Sequence, residues 1–519
     1  MAGTPFIPRL ATTRSPRSGA RAFARAALRG LRVAASPRVA LAALCVALFF
    51  YGLGDRDLTA SHEARAAQNA QMALSEGYWL LPRLFDGHIE LQKPPLFYWL
   101  VALLGWIGGG EVGPSAVRLP AALSGLGCVM FLHYVACRRG QPLAAYFAAL
   151  VLATCLHFTW LARVGRIDMP LTFAITLALG SFHIGRAENA NRWYAVGYAA
   201  LGLGALLKGP IALVLPALVE TSLAVSRGRA SVAGRQHTTL WWGLPLAAAI
   251  AAPWFIWANI ETDGKLFDVF FWYHNVERGL GGSETLKAHP WWFYFRCLIV
   301  DMFPWGLGLP LLFWLPRLGA TADNPLDPMP LKRLGVCWFL VTFAFLSCMS
   351  FKRADYLLPA YPGFALAIGC ALERLWVVGG AFRRLRVGIA ITVAGIVIAV
   401  ALGWLGFNSW IVPRQEGDWP YQRIAQHIRA QTDRPVIFFR AESHVLAFHV
   451  GRPVDTILEW ENLAWWADRD FPVYVVMPED EASEWPTHLG EGALEEVLRT
   501  RDRLPGRRDH PMVVLRTRR

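Results

Sequence analysis

The sequence lacks the short motifs that identify most soluble enzymes acting on nucleotides, esters and peptides. It contains no Walker phosphate loop, no GxGxxG after a predicted strand, no GxSxG and no HExxH. Each of these motifs builds a phosphate cradle, an exposed nucleophile or a zinc site. Their absence argues against soluble nucleotide-binding or hydrolase chemistry.

The eight cysteines are not arranged as a disulfide framework or a metal motif. All of them fall in or beside hydrophobic segments, none lies in a large loop or in the C-terminal region, and no two form a CxxC pair. We therefore predict that the cysteines serve as small buried hydrophobic side chains.

Acidic residues are absent from residues 1–38, which contain eight arginines. The formal net charge of +13 would suit a nucleic-acid partner. Much of that charge lies in this tail and in short loops, where positive charge sets the orientation of a membrane protein. We predict a basic cytoplasmic tail over residues 1–37, an uncleaved first membrane span from residue 38, and no nucleic-acid partner.

Apolar residues are abundant, at 55% of the chain, and the mean hydropathy is +0.33. Apolar runs of roughly 18 residues, enough to cross a bilayer, recur over residues 38–412. These runs predict an α-helical integral membrane protein with about 11–13 transmembrane helices. The segments lie near residues 38–54, 117–136, 142–161, 169–186, 193–208, 209–226, 239–258, 291–315, 333–350, 355–376 and 386–409.

The positions of the basic loops decide how these segments cross the membrane. If the short apolar segment 95–110 lies flat on the outer surface, every strongly basic loop faces the cytoplasm. Residues 62–75 are also predicted to form an interfacial helix in the first outer loop, residues 55–116. The N-terminus is then cytoplasmic and the C-terminus is outside. A break at Pro304 would allow up to thirteen spans.

Residues 413–519 differ in character from the membrane region. Residues 421–431 have a helical pattern, and residues 435–439, 472–477 and 512–517 have the pattern of strands. We predict a small extramembrane α/β domain, which the topology places in the periplasm.

Ionisable residues gather at the predicted outer rim of the membrane region. An ionisable group costs about 2.5–3.5 kcal/mol at the centre of a membrane helix and less at its ends, so a cluster of them indicates function. Snorkelling explains each cation taken singly, but several on one face predict a pocket for a lipid-borne phosphate or diphosphate. The candidates are His62, Glu63, Arg65, Arg83, Lys93, Arg166, Asp168, Lys352 and Arg353, together with Trp272, His274 and His289 near the outer loop 259–290.

A sugar joined to a lipid phosphate through its anomeric carbon is already activated for transfer. The enzyme must hold the phosphate, stabilise its charge as it leaves, and take a proton from an acceptor hydroxyl. Glu63 or Asp168 could be the base. Lys93, Arg166, Lys352 and Arg353 could hold the phosphate, with Arg65 and Arg83 close by. Attack in one step from the opposite face would invert the anomeric centre.

Two other classes of function remain open from the residues alone. A lipid or polysaccharide transporter (a flippase) would use the charges to line a path across the membrane, but no inverted repeat is visible and the charges lie at one rim. A non-catalytic scaffold would not need Glu63 and Asp168 together. Aromatic side chains of loop 259–290 are predicted to shape the approach of the acceptor, and the residues assigned to this role are His62, Trp272, His274 and His289.

The ordered series HEARAAQNAQM, EGYWLLPRL, ELQKPPLFYWL, VRLPAAL, GRIDMPLTF, LLKGP and FKRADYLLPAYP resembles the polytopic glycosyltransferases of the protein O-mannosyltransferase and lipid A aminoarabinose transferase (ArnT-like) superfamily. The resemblance runs from about residue 58 to 362. It implies the GT-C fold and a polyprenyl-phosphate-linked sugar donor. It also implies a glycolipid, glycan or protein acceptor, and activity on the periplasmic face of the bacterial inner membrane.

The resemblance also carries roles over to individual residues. It puts Glu63 near the glycosidic centre, Lys93 on the donor phosphate, and Asp168, with Arg166 nearby, as the second acid. One departure is visible, because many relatives have two acidic residues where this chain has His62 and Glu63. The identity of the base is therefore open. No cofactor is certain, and a divalent metal on a His–Glu–Asp set is possible.

Overall fold

The computed structural model describes residues 36–518, except for residues 59, 227–235, 278, 280, 282–287, 311–329, 380–382, 417–419, 431–435, 441–443, 452–453 and 500–511. The predicted basic tail and the basic loops around 227–235 and 317–329 lie outside the described residues. The described part of the membrane region is mainly helical. Its α-helices are α1 (Pro37–Phe50), α2 (Ser61–Ser75), α3 (Leu96–Ile107), α4 (Pro114–Arg138), α5 (Pro142–Ala153), α6 (Leu156–Leu161), α7 (Asp168–Glu188), α8 (Asn191–Lys208), α9 (Ile211–Ser226), α10 (Gln236–Glu261), α11 (Phe293–Val300), α12 (Leu331–Cys348), α13 (Tyr361–Val378) and α14 (Arg383–Gly406).

Tighter or wider helical turns join several of these helices. Two are π-helical, Phe267–Glu277 and Phe407–Ile411, and two are 3₁₀-helical, Trp305–Gly308 and Ala354–Ala360. Within the described residues, five helices are long and apolar enough to cross a membrane, judged by length and composition, and four shorter apolar helices accompany them. The chain is a multi-pass membrane protein, and the number of its spans stays a prediction.

The predicted apolar segments coincide with helices, but two of them are broken. Segment 142–161 ends one helix at Ala153 and begins another at Leu156, a break that the sequence analysis missed. In the described part of segment 291–315 the α-helix ends at Val300, and a 3₁₀ turn begins only after Pro304, at Trp305, which confirms a break at that position.

The backbone groups left unpaired at one break form hydrogen bonds with groups at the other break. The amide of Leu156 donates to the carbonyl of Phe303 at 3.0 Å, and the amide of His157 donates to the carbonyl of Asp301 at 3.2 Å. The indole Nε1 of Trp305 donates to Oγ1 of Thr154 at 2.8 Å. Irregular backbone at membrane depth is tolerated where protein groups replace the missing helical bonds, and these contacts do so.

Small residues let the membrane helices approach closely. A side chain at Gly369 would contact the backbone nitrogen of Ala148 at 2.6 Å, so α13 lies directly against α5. A side chain at Gly335 would lie 2.7 Å from the backbone nitrogen of Ala367, which joins α12 to α13 in the same way. Such contacts are the usual source of helix association in lipid, where apolar burial gives no advantage.

The C-terminal region forms a five-stranded sheet of order β2-β1-β3-β5-β4 with helices on both sides. Strands β1, β2 and β3 are parallel, and β5 and β4 continue the sheet antiparallel. The strands are β1 (Val436–Phe439), β2 (Asp455–Ile457), β3 (Tyr474–Pro478), β4 (Leu494–Arg499) and β5 (Met512–Thr517), and the helices are α15 (Val412–Glu416), α16 (Pro420–Ala430), α17 (His444–Val450), α18 (Trp460–Ala467), α19 (Glu479–Ala482) and α20 (Trp485–Leu489).

This sheet domain contacts the first outer loop directly. Helix α17 packs against α2, and Nε2 of Gln68 donates to the carbonyl of His444 at 2.8 Å. Nε2 of His449 lies 3.3 Å from Oδ2 of Asp57. The sheet domain therefore contacts the loop that carries five of the twelve predicted site residues.

Candidate active site

A charged pocket of about 100 Å³ collects residues from five separated parts of the chain. Its walls come from α2, from the turn before α3, from the start of α7, from the end of α8 and from the segment after α12. Besides Tyr98 and Tyr356, its titratable lining consists of His62, Arg65, Lys93, Arg166, Asp168, Lys208 and Arg353. The structure thus brings together these seven side chains, which are up to 291 residues apart in the chain, and Asp168 is the one carboxylate among them.

Asp168 is the first residue of α7 and is almost fully buried. Its Oδ1 accepts a hydrogen bond from Nζ of Lys208 at 2.6 Å, and its Oδ2 lies 3.2 Å from Nε of Arg166. A carboxylate in the first turn is also favoured by the helix dipole. Nη1 of Arg166 lies 2.6 Å from Oδ2 of Asp355, so Arg166 joins two carboxylates. These ion pairs fix the cations in place.

Gly209 turns the chain sharply after Lys208. Its φ of +72° lies in the region that favours glycine, and a Cβ atom there would come within 2.4 Å of the Phe270 ring. The LLKGP segment therefore ends α8 with Lys208 at the pocket, where its ammonium also lies 4.2 Å from the centre of the Tyr356 ring.

Lys93 is the cation of the pocket that the protein leaves unmatched. Among the described residues it forms no hydrogen bond or ion pair, whereas its neighbour Arg65 is paired with Glu90. Burial, together with the positive charges of Arg65 and Arg166, lowers the pKa of Lys93 to about 8, although Glu90 and Asp168 act in the opposite direction. An ammonium held in this way is available to an incoming anion.

Glu63 is enclosed by the protein rather than turned to the pocket. It is completely buried, and its two oxygens accept hydrogen bonds from Nε and Nη2 of Arg118 at 2.8 and 3.0 Å. The amide of Gly165 donates to Oε1 at 2.8 Å. Burial alone would raise the pKa of Glu63, but the charge and hydrogen bonds of Arg118 outweigh it, so the pKa lies below its usual range. The described lining of the charged pocket does not include Glu63.

The contact between Glu63 and Gly165 depends on the glycine. A Cβ atom at position 165 would lie 2.3 Å from Cγ1 of Val117 and 2.9 Å from its carbonyl oxygen. Only a residue without a side chain lets the start of α7 approach α4 so closely. Glu63, Arg118 and Gly165 together fix α2 against both helices.

Besides Glu63 and His274, four further predicted site residues lie outside the described lining of the charged pocket. Lys352 is buried and donates to the carbonyls of Met349 and, at 2.9 Å, His289, so it stabilises its loop. Arg83 stacks on the Tyr78 ring, 4.4 Å from its centre. The His289 ring contacts Phe293 and Phe351, and Trp272 is exposed.

Sequence reasoning overlooked three charged residues that organise the site. Arg118 holds Glu63, Glu90 pairs with Arg65, and Asp355 joins Arg166 to Arg353. A signal for Arg118 was present, because a buried arginine at the start of an apolar segment needs a carboxylate partner.

Two larger apolar cavities continue from the charged pocket. The first, of about 330 Å³, shares Lys93, Asp168 and Lys208 with it and is also lined by His274. The second, of about 600 Å³, has an almost entirely apolar wall from α8, α10 and the π-helical turn. Phe270 and Phe271 line both cavities. The charged pocket therefore lies at the head of an apolar path.

The residues do not form a metal site in the described part of the chain. No three His, Cys, Asp or Glu side chains there are close enough to share an ion. Glu63 is committed to Arg118, and Asp168 to Lys208 and Arg166. The predicted His–Glu–Asp set therefore does not fit a divalent metal.

Comparison with known proteins agrees with this arrangement. Residues 92–257 match the family described as dolichyl-phosphate-mannose-protein mannosyltransferase. The chain is 30% identical over 382 residues to an undecaprenyl phosphate-alpha-4-amino-4-deoxy-L-arabinose arabinosyl transferase of Pseudomonas savastanoi pv. phaseolicola, which covers 72% of this chain and 66% of the relative. A transferase of the same description from Pseudomonas fluorescens is 28% identical over 365 residues, which covers 68% and 61%.

The chain belongs to the ArnT-like GT-C superfamily. The matched part spans about three fifths of the length of the curated relatives. The GT-C fold agrees with the crystal structure of ArnT from Cupriavidus metallidurans bound to undecaprenyl phosphate, with a TM-score of 0.75 at 21% identity over 92% of this chain and 97% of that one. The fold class predicted from the sequence is therefore confirmed.

Proposed function

We propose that this protein transfers a sugar from a polyprenyl-phosphate donor to an acceptor hydroxyl, with inversion at the anomeric carbon. The observation that carries the proposal is the position of Lys93, a partly buried cation with no ion-pair partner among the described residues, at the head of an apolar path. A polyprenyl phosphate matches both parts of this site, because its phosphate can pair with the cations and its chain can lie in the apolar cavities. The activity of the relatives, arabinosyl transfer from undecaprenyl phosphate, supports a lipid-linked pentose as the first donor to test.

In this proposal the donor phosphate lies against Lys93, Arg166 and Arg353. These cations stabilise the negative charge that grows on the phosphate as the bond to the sugar breaks. Arg65, paired with Glu90, adds a further positive charge to the pocket wall from the side of α2. The polyprenyl chain occupies the apolar cavities lined by Phe270 and Phe271. His274 lies in the wall of the first cavity, where it would contact the lipid.

Asp168 has a different task from the phosphate ligands. It lies beside them in the pocket wall, where its negative charge favours the positive charge that develops at the anomeric carbon. It also holds Lys208 and Arg166 in position. Glu63 acts through Arg118 and Gly165 as a positioning residue for α2.

In this proposal the reaction takes place on the periplasmic side of the bacterial inner membrane, with the N-terminus cytoplasmic and the C-terminal domain periplasmic, an orientation that the basic loops in the sequence support. On that side the acceptor is a lipid A-like glycolipid, a protein or a glycan. The contact of α17 with α2 puts the C-terminal domain next to the site loop, where it would limit the approach of a large acceptor.

Transfer in proteoliposomes tests the proposal. Purified wild type is given radiolabelled undecaprenyl-phosphate 4-amino-4-deoxy-L-arabinose or a polyprenyl-phosphate hexose, with lipid A, peptide and glycan acceptors. Lys93→Ala and Asp168→Asn are compared with His88→Ala, a substitution in the same loop whose side chain is 76% exposed. We expect transfer by wild type and His88→Ala, and at least about 100-fold less by the two site variants.

Two results would contradict the proposal. Equal transfer by wild type and the site variants would put the reaction elsewhere. Absence of transfer with the whole donor panel, combined with movement of labelled lipid across the bilayer, would favour a flippase in its place.

A further inference from the structure

The proposed reaction needs a group that accepts the proton of the acceptor hydroxyl, and the pocket offers few. Of the described residues that line it, only Asp168 and His62 have side chains that are mainly in a proton-accepting form at neutral pH. Asp168 already receives hydrogen bonds from Lys208 and Arg166. Hydrogen bonds and cations that stabilise a carboxylate make it a weaker base.

The carboxylates just outside the pocket are also engaged. Glu63 is bound by Arg118, and Glu90 by Arg65. Asp355 contacts Arg166 and Arg353. None of the three belongs to the pocket wall in the described part of the chain. They organise cations and are poorly placed to take a proton from a substrate.

His62 is free of such engagements. It is the second residue of α2, and its ring lines the pocket beside Lys93 and Arg166. Its Nδ1 is buried and has no hydrogen-bond partner among the described residues. His157 is paired with Asp355 and His449 with Asp57, whereas His289, whose Nδ1 also has no hydrogen-bond partner among the described residues, lies outside the pocket lining. A buried polar atom without a partner is costly, so its retention at this place indicates a use.

The charges that face His62 keep it neutral until a donor is bound. Burial and the positive charges of Lys93, Arg166 and Arg353 lower its pKa to about 3, with Asp168 acting in the opposite direction. A bound phosphate neutralises those same cations and would raise the pKa of His62 toward its ordinary value of about 6.5. The imidazole becomes a useful base when the donor is in place.

We propose that His62 is the general base of the transfer reaction. As the acceptor oxygen bonds to the anomeric carbon, its proton passes to a ring nitrogen of His62, which becomes imidazolium. The bond between that carbon and the phosphate oxygen breaks, and its electron pair stays on the phosphate beside Lys93 and Arg166. The imidazolium then releases its proton to water. This inference rests on the proposed transferase activity.

Kinetics of His62→Ala and His62→Gln test the assignment, with His88→Ala as the matched histidine control. We expect kcat to fall about 10²–10⁴-fold, the range for loss of a general base. The KM for the donor and the affinity for undecaprenyl phosphate should change less than threefold. Imidazole added to His62→Ala should restore part of kcat with saturation, which loss of a structural contact would not allow.

A binding measurement with undecaprenyl phosphate alone gives a readout that does not depend on turnover. If the phosphate raises the pKa of His62, binding takes up protons below pH 6.5. The affinity of wild type relative to His62→Gln should then rise as the pH falls from 6.5 to 5.

The outcomes separate the two proposals. Transfer by wild type with less than a threefold loss of kcat in His62→Ala overturns the assignment of the base and leaves the transferase proposal standing. A loss of kcat together with donor binding, without rescue by imidazole, assigns His62 a structural role. Failure of wild type to transfer from any donor overturns both.

Discussion

The ion pair between Glu63 and Arg118 offers a decisive test of what Glu63 does. Both side chains are essentially inaccessible, with exposures of 0% and 1%. Replacing Arg118 by methionine leaves the Glu63 carboxylate buried with Arg56, 3.8 Å away, as its remaining cation. Removal of one partner of a buried pair costs about 3–5 kcal/mol of unfolding free energy. Arg56 is partly exposed, so we expect a loss of about 3 kcal/mol.

The matching change, Glu63→Gln, should be milder. Arg118 also donates to the carbonyls of Leu53, Arg56 and Asp57, and these bonds survive. In the double variant no unpaired carboxylate remains. A double-mutant cycle should therefore give a coupling free energy of about 2–3 kcal/mol, within the range for residues in direct contact.

Unfolding in mixed micelles and transfer kinetics measure the two consequences. If Glu63 positions α2, the folded fraction of Glu63→Gln keeps kcat within about tenfold of wild type, while Asp168→Asn loses at least about 100-fold. Additive effects within about 0.5 kcal/mol would refute the importance of the pair. A large loss of kcat in Glu63→Gln with unchanged stability would show that Glu63 acts at the reacting atoms.

Three further results are expected. The pKa of Lys93 is about 8 without ligand, and a bound anion raises it. The affinity for undecaprenyl phosphate should therefore be highest below pH 8 and fall by up to about tenfold per pH unit above it. The affinity of Lys93→Arg, measured over the same pH range, should change little. Gly209→Ala should lose about 1–3 kcal/mol of stability in an unfolding assay, because of its positive φ and the Phe270 ring, while Gly388→Ala, in open space within α14, should lose none. The pKa of His62 is lower in the folded than in the unfolded protein, so the unfolded chain binds more protons between pH 3 and 6.5. The free energy of unfolding of His62→Gln should therefore fall less steeply with decreasing pH than that of wild type. Equal slopes for the two proteins would contradict the lowered pKa of this ring.

The sequence predicted the positions of the membrane helices because long apolar runs are a local signal. It did not predict the break at Thr154, since that break is stable only through Phe303, Asp301 and Trp305, which lie about 150 residues away. Strand β4 was missed for a related reason. Its residues, LEEVLR, have no strand alternation and favour a helix, and pairing with β5 overrides that preference.

The sequence also identified most of the charged residues of the site but not their pairing. Glu63 and Lys352 are conspicuous in the chain, yet the structure buries both in contacts that hold loops. Arg118 stands in an apolar segment and becomes important only when it meets Glu63 from 55 residues away. Local patterns show which groups are costly to bury, whereas the fold decides which of them remain available to a substrate.

The balance of charge explains how the site could favour reaction over tight donor binding. Five cations, Arg65, Lys93, Arg166, Lys208 and Arg353, stand against three carboxylates, Glu90, Asp168 and Asp355, which leaves an excess of two positive charges. A sugar linked to a lipid phosphate carries one negative charge, and the phosphate that leaves carries close to two near neutral pH. The excess therefore matches the leaving group better than the donor, and only an interaction that strengthens on the way to the transition state lowers the barrier. The paired cations are held in place before the donor arrives, so the increase in charge meets a site that does not need to rearrange.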